Sequence, residues 1–339
     1  MIRIGLIGMG FMGKAHLENY RQLEREGVAV QIAAICDADP AKLRGEGSGG
    51  NLAAGGSVTD LSAYAAYESV ADMLAREQLD AVDITLPTYL HKDVTIQCLQ
   101  AGLHVLCEKP MAMDEAECEA MIGAAAAADR SLMIGQCLRF WPAYVELKRL
   151  IDARVLGEVT YASFYRGGGT PSWGPWVLDK DKGGGAILDM HVHDADVVNW
   201  LFGKPEAVSA VGLNVIPGSG YDIVSTHYRY ADPRIVHAQV DWTLNGDYGF
   251  EMGFRVTFER GNVQLAGGRL RVNPDGAPGY EAALAPGEGY YYELRYFVER
   301  LLAGAPIEEA DPESTKATIR IVAAEIASAD RRGEWVAVG

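Results

Sequence analysis

Short apolar runs alternate with helical patterns through the first 130 or so residues. Residues 2–7, 30–36, 81–85, 104–107 and 132–136 read as strands, and amphipathic stretches at 14–25, 69–76, 92–101 and 114–128 lie between them. Apolar strands separated by helices are what a parallel sheet of βαβ units requires, and about six strands are expected. After residue 135 the texture changes. A helix at 143–153, a strand at 159–165 and a continuous helix at 187–202 precede alternating runs at 208–215, 224–230, 236–244, 254–259 and 261–265. Pro217, Gly218, Gly246 and Asp247 mark turns between them, and helical patterns at 290–303 and 313–331 close the chain. Alternation with turn residues predicts a large, open, mostly antiparallel sheet. The class is therefore α/β, with one domain over 1–130 and a second over 131–339. The glycine-rich stretch 45–56 is expected as a mobile surface loop without chemistry.

Composition narrows the class. With 339 residues, 49% hydrophobic, two ordinary domains can each bury a core. No apolar run reaches the roughly 18 residues of a membrane span. The chain enters a strand at once, without a basic flank, apolar stretch or small-residue cleavage site, so export is not expected. Cys36, Cys98, Cys107, Cys118 and Cys137 are odd in number and lack metal or redox spacing, which fits reduced thiols in the cytoplasm. A net charge of −16 repels phosphate backbones, so neither nucleic acid nor an anionic membrane is an expected partner.

Gly8-Met9-Gly10-Phe11-Met12-Gly13 follows the first strand and opens an amphipathic helix, the context in which a dinucleotide fingerprint is meaningful. The glycines permit a tight turn and close backbone approach, and the helix N-terminus offers N–H groups to a pyrophosphate. Asp37 ends the second strand, where an acid accepts the adenosine ribose hydroxyls. Turn and acid together predict a Rossmann domain that binds NAD, with NADP possible through Lys42 and Arg44. The bland alternative is a glycine turn with Asp37 as a helix cap.

Glu108-Lys109-Pro110 follows a buried strand, at the end that faces the cofactor crevice in such sheets. Lys109 there can hold a substrate oxygen or relay its proton, or it is a solvated turn lysine. Asp189 and His193, four positions apart on one face of the expected helix, pair a carboxylate with an imidazole suited to proton transfer; a capped polar face is the alternative. Asp196 and Trp200 would continue that face. His191, His193, Asp194 and Asp196 are possible metal ligands, but residues two apart on a helix point to different sides, so no metal is expected. Trp173 and Trp176 as stacking faces, Arg166 as a hydroxyl donor and the flexible Gly167-Gly168-Gly169 tract could wall a sugar; the tryptophans could equally pack a domain interface.

In order and spacing, five pieces resemble the glucose-fructose oxidoreductase and inositol dehydrogenase family. They are Gly8 through His16, Asp80-Ala81-Val82-Asp83-Ile84, Pro87-Thr88-Tyr89-Leu90-His91, Glu108-Lys109-Pro110 and Asp189 through His193, spanning roughly the first 205 residues. The resemblance implies an NAD(P)-dependent enzyme moving hydride between nicotinamide and a hydroxyl or carbonyl of a sugar, cyclitol or related polyol. It implies Lys109, Asp189 and His193 as catalytic set, a cis bond between Lys109 and Pro110, and a homo-oligomer, dimer or tetramer, formed through the second domain's sheet. Thr85, Leu86, Pro87 and Glu108 would shape the nicotinamide pocket, and His91 would either help to shape it or cap that loop in a structural role. The family usually has threonine before that proline; here it is Leu86, preceded by Thr85, which puts a hydroxyl contact in doubt. Two other classes stay open: a glycosidase using bound NAD for transient sugar oxidation, and a dinucleotide-binding regulator without turnover. The dehydrogenase reading requires Lys109 and His193 to converge over the nicotinamide.

Overall fold

The computed structural model describes residues 1–46 and 60–339, so most of the glycine-rich stretch lies outside the described residues. The described chain divides into two units, each with its own sheet.

The first unit comprises Met1–Cys137, Ser172–Trp176 and Tyr290–Lys316. Its elements begin β1 (Ile2–Ile7), α1 (Phe11–Arg25), β2 (Val30–Cys36), α2 (Pro40–Leu43), β3 (Ala65–Tyr67) and α3 (Val70–Arg76). They continue with β4 (Ala81–Ile84), α4 (His91–Gln100), β5 (His104–Glu108), α5 (Glu115–Ala128) and β6 (Leu132–Gly135). Among the described residues the strands form a six-stranded parallel sheet in the order β3-β2-β1-β4-β5-β6. The doubly wound order arises because every residue of β4 and β6 is buried, so helices must cover both faces. α1 lays Ala15, Leu17, Tyr20 and Leu23 onto the sheet. The Ser69 hydroxyl accepts the Asp72 N–H at 3.1 Å to start α3, and Asp114 accepts the Glu117 N–H at 2.9 Å to start α5. The unit runs on to Cys137, past residue 130, because β6 pairs with β5 and the Ile134 N–H donates to the Ala310 carbonyl of a returning segment at 3.2 Å.

The second unit holds α6 (Pro142–Asp152), β7 (Val159–Gly168), α7 (Gly185–Asp189), α8 (Val192–Phe202), β8 (Ala207–Leu213), β9 (Ile223–Arg229) and β10 (Ile235–Asp241). β11 (Phe250–Phe258), β12 (Gly261–Ala266), β13 (Arg269–Pro274) and β14 (Tyr280–Glu281) follow. After them α9 (Gly289–Ala303) lies in the first unit from Tyr290 on, and α10 (Pro312–Asp330) leads to β15 (Val336–Ala337). The nine strands described are ordered β14-β13-β12-β11-β7-β10-β9-β8-β15, and only β7 and β10 pair in parallel. Alternation puts Phe164, Val236, Ala238 and Phe254 into the core. On the other face a polar row crosses the strands through Ser209, His227, His237, Ser163, Arg255 and Gln264.

The continuous helix expected at 187–202 is broken. α7 ends at Asp189 and α8 begins at Val192, and the His191 N–H reaches back to the Ala186 carbonyl at 2.7 Å, one residue beyond the α-helical partner. The turn places His191 in the core at 0% exposure, where an unbroken polar face would not take it. Among the described residues no helix is long and apolar enough to cross a membrane.

Candidate active site

β1, β4 and β5 are parallel neighbours, so the segments leaving them share one edge of the first unit's sheet. At that edge Gly8 adopts φ +100°, and a Cβ on Gly13 would lie 1.8 Å from the Gly8 carbonyl oxygen, so the turn closes on itself only with glycine at both positions. The Thr85 hydroxyl donates to the same Gly8 carbonyl at 2.7 Å. The displaced threonine thus braces the glycine turn from the end of β4, while Leu86 and Pro87 continue along the edge half-buried.

Gly10 starts α1 with no capping side chain, and among the described residues nothing stands within 4 Å of where its Cβ would be. Phe11 and Met12, half-buried, form the first helical turn with Gly13. Open space at an uncapped helix N-terminus suits a phosphate. Asp37, just past β2 and 6% exposed, accepts the Met9 N–H at 2.8 Å on Oδ2 and the Asp39 N–H at 2.9 Å on Oδ1. Lys42 Nζ lies 3.4 Å from Oδ2, so Oδ1 keeps acceptor capacity for a ribose hydroxyl. These residues fit an adenosine diphosphate moiety.

At the end of β5 the Lys109–Pro110 bond is cis. Lys109 is half-buried, and its backbone N–H donates to Glu108 Oε2 at 2.9 Å. His91, fully buried at the start of α4, stands between two carbonyls, with Nδ1 2.8 Å from Pro110 and Nε2 2.7 Å from Leu86. It ties the segment after β4 to the segment after β5. Burial lowers its pKa, and the two carbonyls pull the other way.

In the second unit Asp189 and His193 are half-buried and flank the break between α7 and α8, so they are not neighbours on one continuous helix face. Of the other residues singled out on that stretch, His191, Asp194 and Asp196 are inside and Trp200 is half-buried. Asp194 holds Arg166 of β7 through two contacts, Nε to Oδ2 at 3.0 Å and Nη2 to Oδ1 at 3.2 Å, and the guanidinium lies 5.9 Å over the Phe250 ring. Asp196 receives Arg139 in the same forked manner, at 2.8 and 2.7 Å. His191 Nε2 is 3.3 Å from the Tyr228 hydroxyl and 3.4 Å from Glu325; burial opposes its charge, but Glu325 outweighs it and raises the pKa. Of the donors weighed for a metal, His191, Asp194 and Asp196 are buried against partners on other elements, while His193 is half-buried. Gly167 and Gly168 are strand residues of β7, aligned with Asp241 and Phe250 rather than in a flexible wall. Trp173 and Trp176 are half-buried and fall in the Ser172–Trp176 segment that groups with the first unit.

Residues 2–136 match the model of the oxidoreductase family with an NAD-binding Rossmann fold, and residues 144–264 match the GFO/IDH/MocA C-terminal domain. The chain belongs to the GFO/IDH/MocA oxidoreductase family. It is similar to the inositol 2-dehydrogenase of Salmonella typhimurium, 26% identical over 348 residues, 96% of this chain and 92% of that one. It is also similar to an uncharacterized oxidoreductase of Streptococcus pneumoniae, 28% identical over 251 residues, 71% of this chain, and the match spans 62% of that protein's length. Among solved structures, an oxidoreductase from Agrobacterium radiobacter in complex with NAD+, L-tartaric acid and magnesium shares the fold, with a TM-score of 0.84, 20% identity, and coverage of 100% of this chain and 98% of that one. As a GFO/IDH/MocA oxidoreductase, the chain has NAD as its cofactor.

Sequence reading passed over one part of this GFO/IDH/MocA site. His16, quoted only as the end of the glycine motif, is fully buried against Asp83 and Glu108. Two acids inside otherwise apolar central strands, Ala-Val-Asp-Ile and His-Val-Leu-Cys-Glu, were the available signal, since a dry carboxylate demands a partner.

Proposed function

We propose that this chain oxidises a hydroxyl of a sugar, cyclitol or related polyol, or reduces the corresponding carbonyl, with NAD as the redox partner. When bound, NAD supplies hydride acceptance at its nicotinamide. Gly8, Gly10 and Gly13 admit the pyrophosphate to the N-terminus of α1, and Asp37 takes the ribose hydroxyls and repels a 2′-phosphate, so NAD binds more tightly than NADP. Lys109 holds the reacting oxygen, His193 takes or returns its proton, and Asp189 supports the imidazole electrostatically. Arg166, engaged by Asp194, organises the substrate side rather than donating alone to a hydroxyl, and Trp173 and Trp176 offer stacking faces. The observation that carries this reading is the shared sheet edge, where the open helix terminus at Gly10 follows β1 and the half-buried Lys109 follows β5, two parallel strands of one sheet with β4 between them. Its likeness to an inositol 2-dehydrogenase supports the substrate class. Five buried, unbridged cysteines support a reducing, cytoplasmic setting. Exposed Val211, Leu213 and Ile235 on the uncovered sheet face support a homo-oligomer.

The test is a panel of cyclitols, sugars and polyols with NAD and NADP, followed by reduced-nicotinamide absorbance, repeated on Lys109→Ala and His193→Ala. Each substitution should lower turnover by about 100-fold or more while NAD binding survives. Undiminished turnover in either variant removes that residue from the mechanism.

A further inference from the structure

Behind Lys109 runs a buried chain of charges. His16 on α1, Asp83 in β4 and Glu108 at the end of β5 all belong to the first unit, and their side chains are 0%, 0% and 6% exposed. His16 Nδ1 is 2.8 Å from Asp83 Oδ2, and Nε2 is 3.2 Å from Glu108 Oε1. The other oxygen of Glu108 accepts the Lys109 backbone N–H at 2.9 Å. Gly135 of β6 walls the opposite side, since a Cβ there would lie 3.1 Å from Glu108 Cα and 3.3 Å from its carboxyl carbon. The Glu108 carboxylate therefore has the His16 ring nitrogen within ion-pair distance of one oxygen, the lysine's own backbone N–H on the other, and packing between.

A neutral imidazole has one N–H and serves one acid, whereas the imidazolium serves both. Leaving either carboxylate dry and unpaired costs several kcal/mol, which favours the cation. Burial works against charge on His16, but Asp83 and then Glu108 outweigh it and raise its pKa well above the ordinary value. Burial would raise Glu108, but His16 and then Lys109 hold it below its ordinary value. Around the cluster, Tyr20 of α1 faces Asp83 and Glu293, Tyr290 of α9 faces Glu108, Glu293 and Cys137, and Lys109 is the further cation that acts on Glu108.

We propose that His16 is a positioning residue for the oxidoreductase reaction: as a buried imidazolium it fixes the Glu108 carboxylate against the Lys109 N–H and so fixes the point from which Lys109 reaches the substrate oxygen. This rests on the reading of Lys109 given above. It differs from a structural role because its effect on turnover passes through Lys109. It also differs from a metal site, although His16, Glu108 and Glu293 bring ligand-type atoms within 4.8 Å of one another, because an ion would need the lone pair that the imidazolium has given up.

The experiment is a double-mutant cycle in the full chain with His16→Gln, Lys109→Ala and both together, measuring kcat, KM and the NAD dissociation constant by calorimetry. His16→Gln should lower kcat about tenfold or more with Lys109 present, add almost nothing once Lys109 is alanine, and leave the NAD constant within about threefold. An equal loss in both backgrounds overturns the proposal, as does a stoichiometric divalent metal in the purified protein whose removal abolishes activity. Undiminished turnover in Lys109→Ala instead sinks the reading of Lys109, which separates the two failures. Should His16→Gln lose NAD binding through misfolding, Glu108→Gln replaces it in the cycle: it keeps an acceptor for the Lys109 N–H and removes the charge. The same non-additivity is then expected, and additivity overturns the proposal.

Discussion

Asp196 separates the catalytic from the architectural content of the stretch after Gly185. It receives Arg139 by two charge-assisted bonds, at 2.8 and 2.7 Å, and the Thr318 hydroxyl donates to its Oδ1 at 2.8 Å. The two side chains are 2% and 1% exposed. Asp196→Ala takes the forked carboxylate away from a buried guanidinium and deprives Thr318 of its acceptor. Removing one partner of a buried ion pair costs about 3–5 kcal/mol, which is a large share of a domain's stability. Replacing both partners by apolar groups removes the desolvation penalty along with the attraction, so Arg139→Met with Asp196→Leu should recover most of that loss, to within about 1–2 kcal/mol of the parent. Urea unfolding followed by circular dichroism measures the ladder, and turnover per folded molecule is read on Asp196→Asn, which keeps an oxygen for Thr318. Turnover should be unchanged within about threefold, because Asp196 points away from solvent into its own unit. An alanine variant destabilised by less than about 1 kcal/mol, or a double variant as unstable as the sum of its singles, refutes the buried-pair reasoning. A folded Asn variant with turnover down more than about tenfold would return Asp196 to the catalytic face.

The glycine turn makes a paired prediction. Gly13→Ala meets the Gly8 carbonyl at 1.8 Å and should destabilise the first unit by about 1–3 kcal/mol or more, whereas Gly10→Ala meets nothing within 4 Å and should keep the parent melting temperature yet weaken NAD binding, with calorimetry and thermal unfolding as the two readouts. If Gly10→Ala binds NAD as the parent does, the phosphate is not at that position. On the open face of the second sheet, His237 sits opposite His227, ring centroids 4.8 Å apart, and burial, then His227 and His191, depress its pKa to about 4. The unfolded chain therefore takes up this proton first, so stability should fall as pH drops from about 6.5 to about 4, by on the order of 1 kcal/mol after solvent screening of a half-buried group. His237→Gln should flatten unfolding midpoints across that window; an unaltered slope counts against the assignment. Asp37→Ala should weaken NAD binding and narrow the preference over NADP, and a variant whose NAD-to-NADP ratio stays put would show that the carboxylate does not set it.

Elements whose burial pattern is local were legible in the chain. β1 and β2 fall where the apolar runs place them, because a strand buried on both faces announces itself without reference to anything distant. β3 was not seen, since Ala-Ala-Tyr is three residues long and gains its partner only from β2. The unit boundary was equally hidden. β6 belongs to the first sheet, and Tyr290–Lys316 returns to that unit from far along the sequence without a compositional mark.

The same distinction governs the site. The glycine turn and its acid are proposed as the dinucleotide site on local spacing, because a phosphate imposes such spacing on whatever binds it. Asp194, Asp196 and His191 could not be told from Asp189 and His193 by spacing, since what assigns them is a partner remote in sequence: Arg166, Arg139 and Glu325. The break at residues 190–191 is the physical expression of that assignment. An unbroken helix would present its polar residues at a fixed angular interval, but three charged or ionisable groups here need burial against partners on other elements. Yielding the helix turns them inward and leaves Asp189 and His193 half-buried on either side. Exposure, then, rather than residue type, separates the groups of this stretch that can meet a substrate from those that hold the unit together, and exposure is fixed by contacts the linear pattern does not contain.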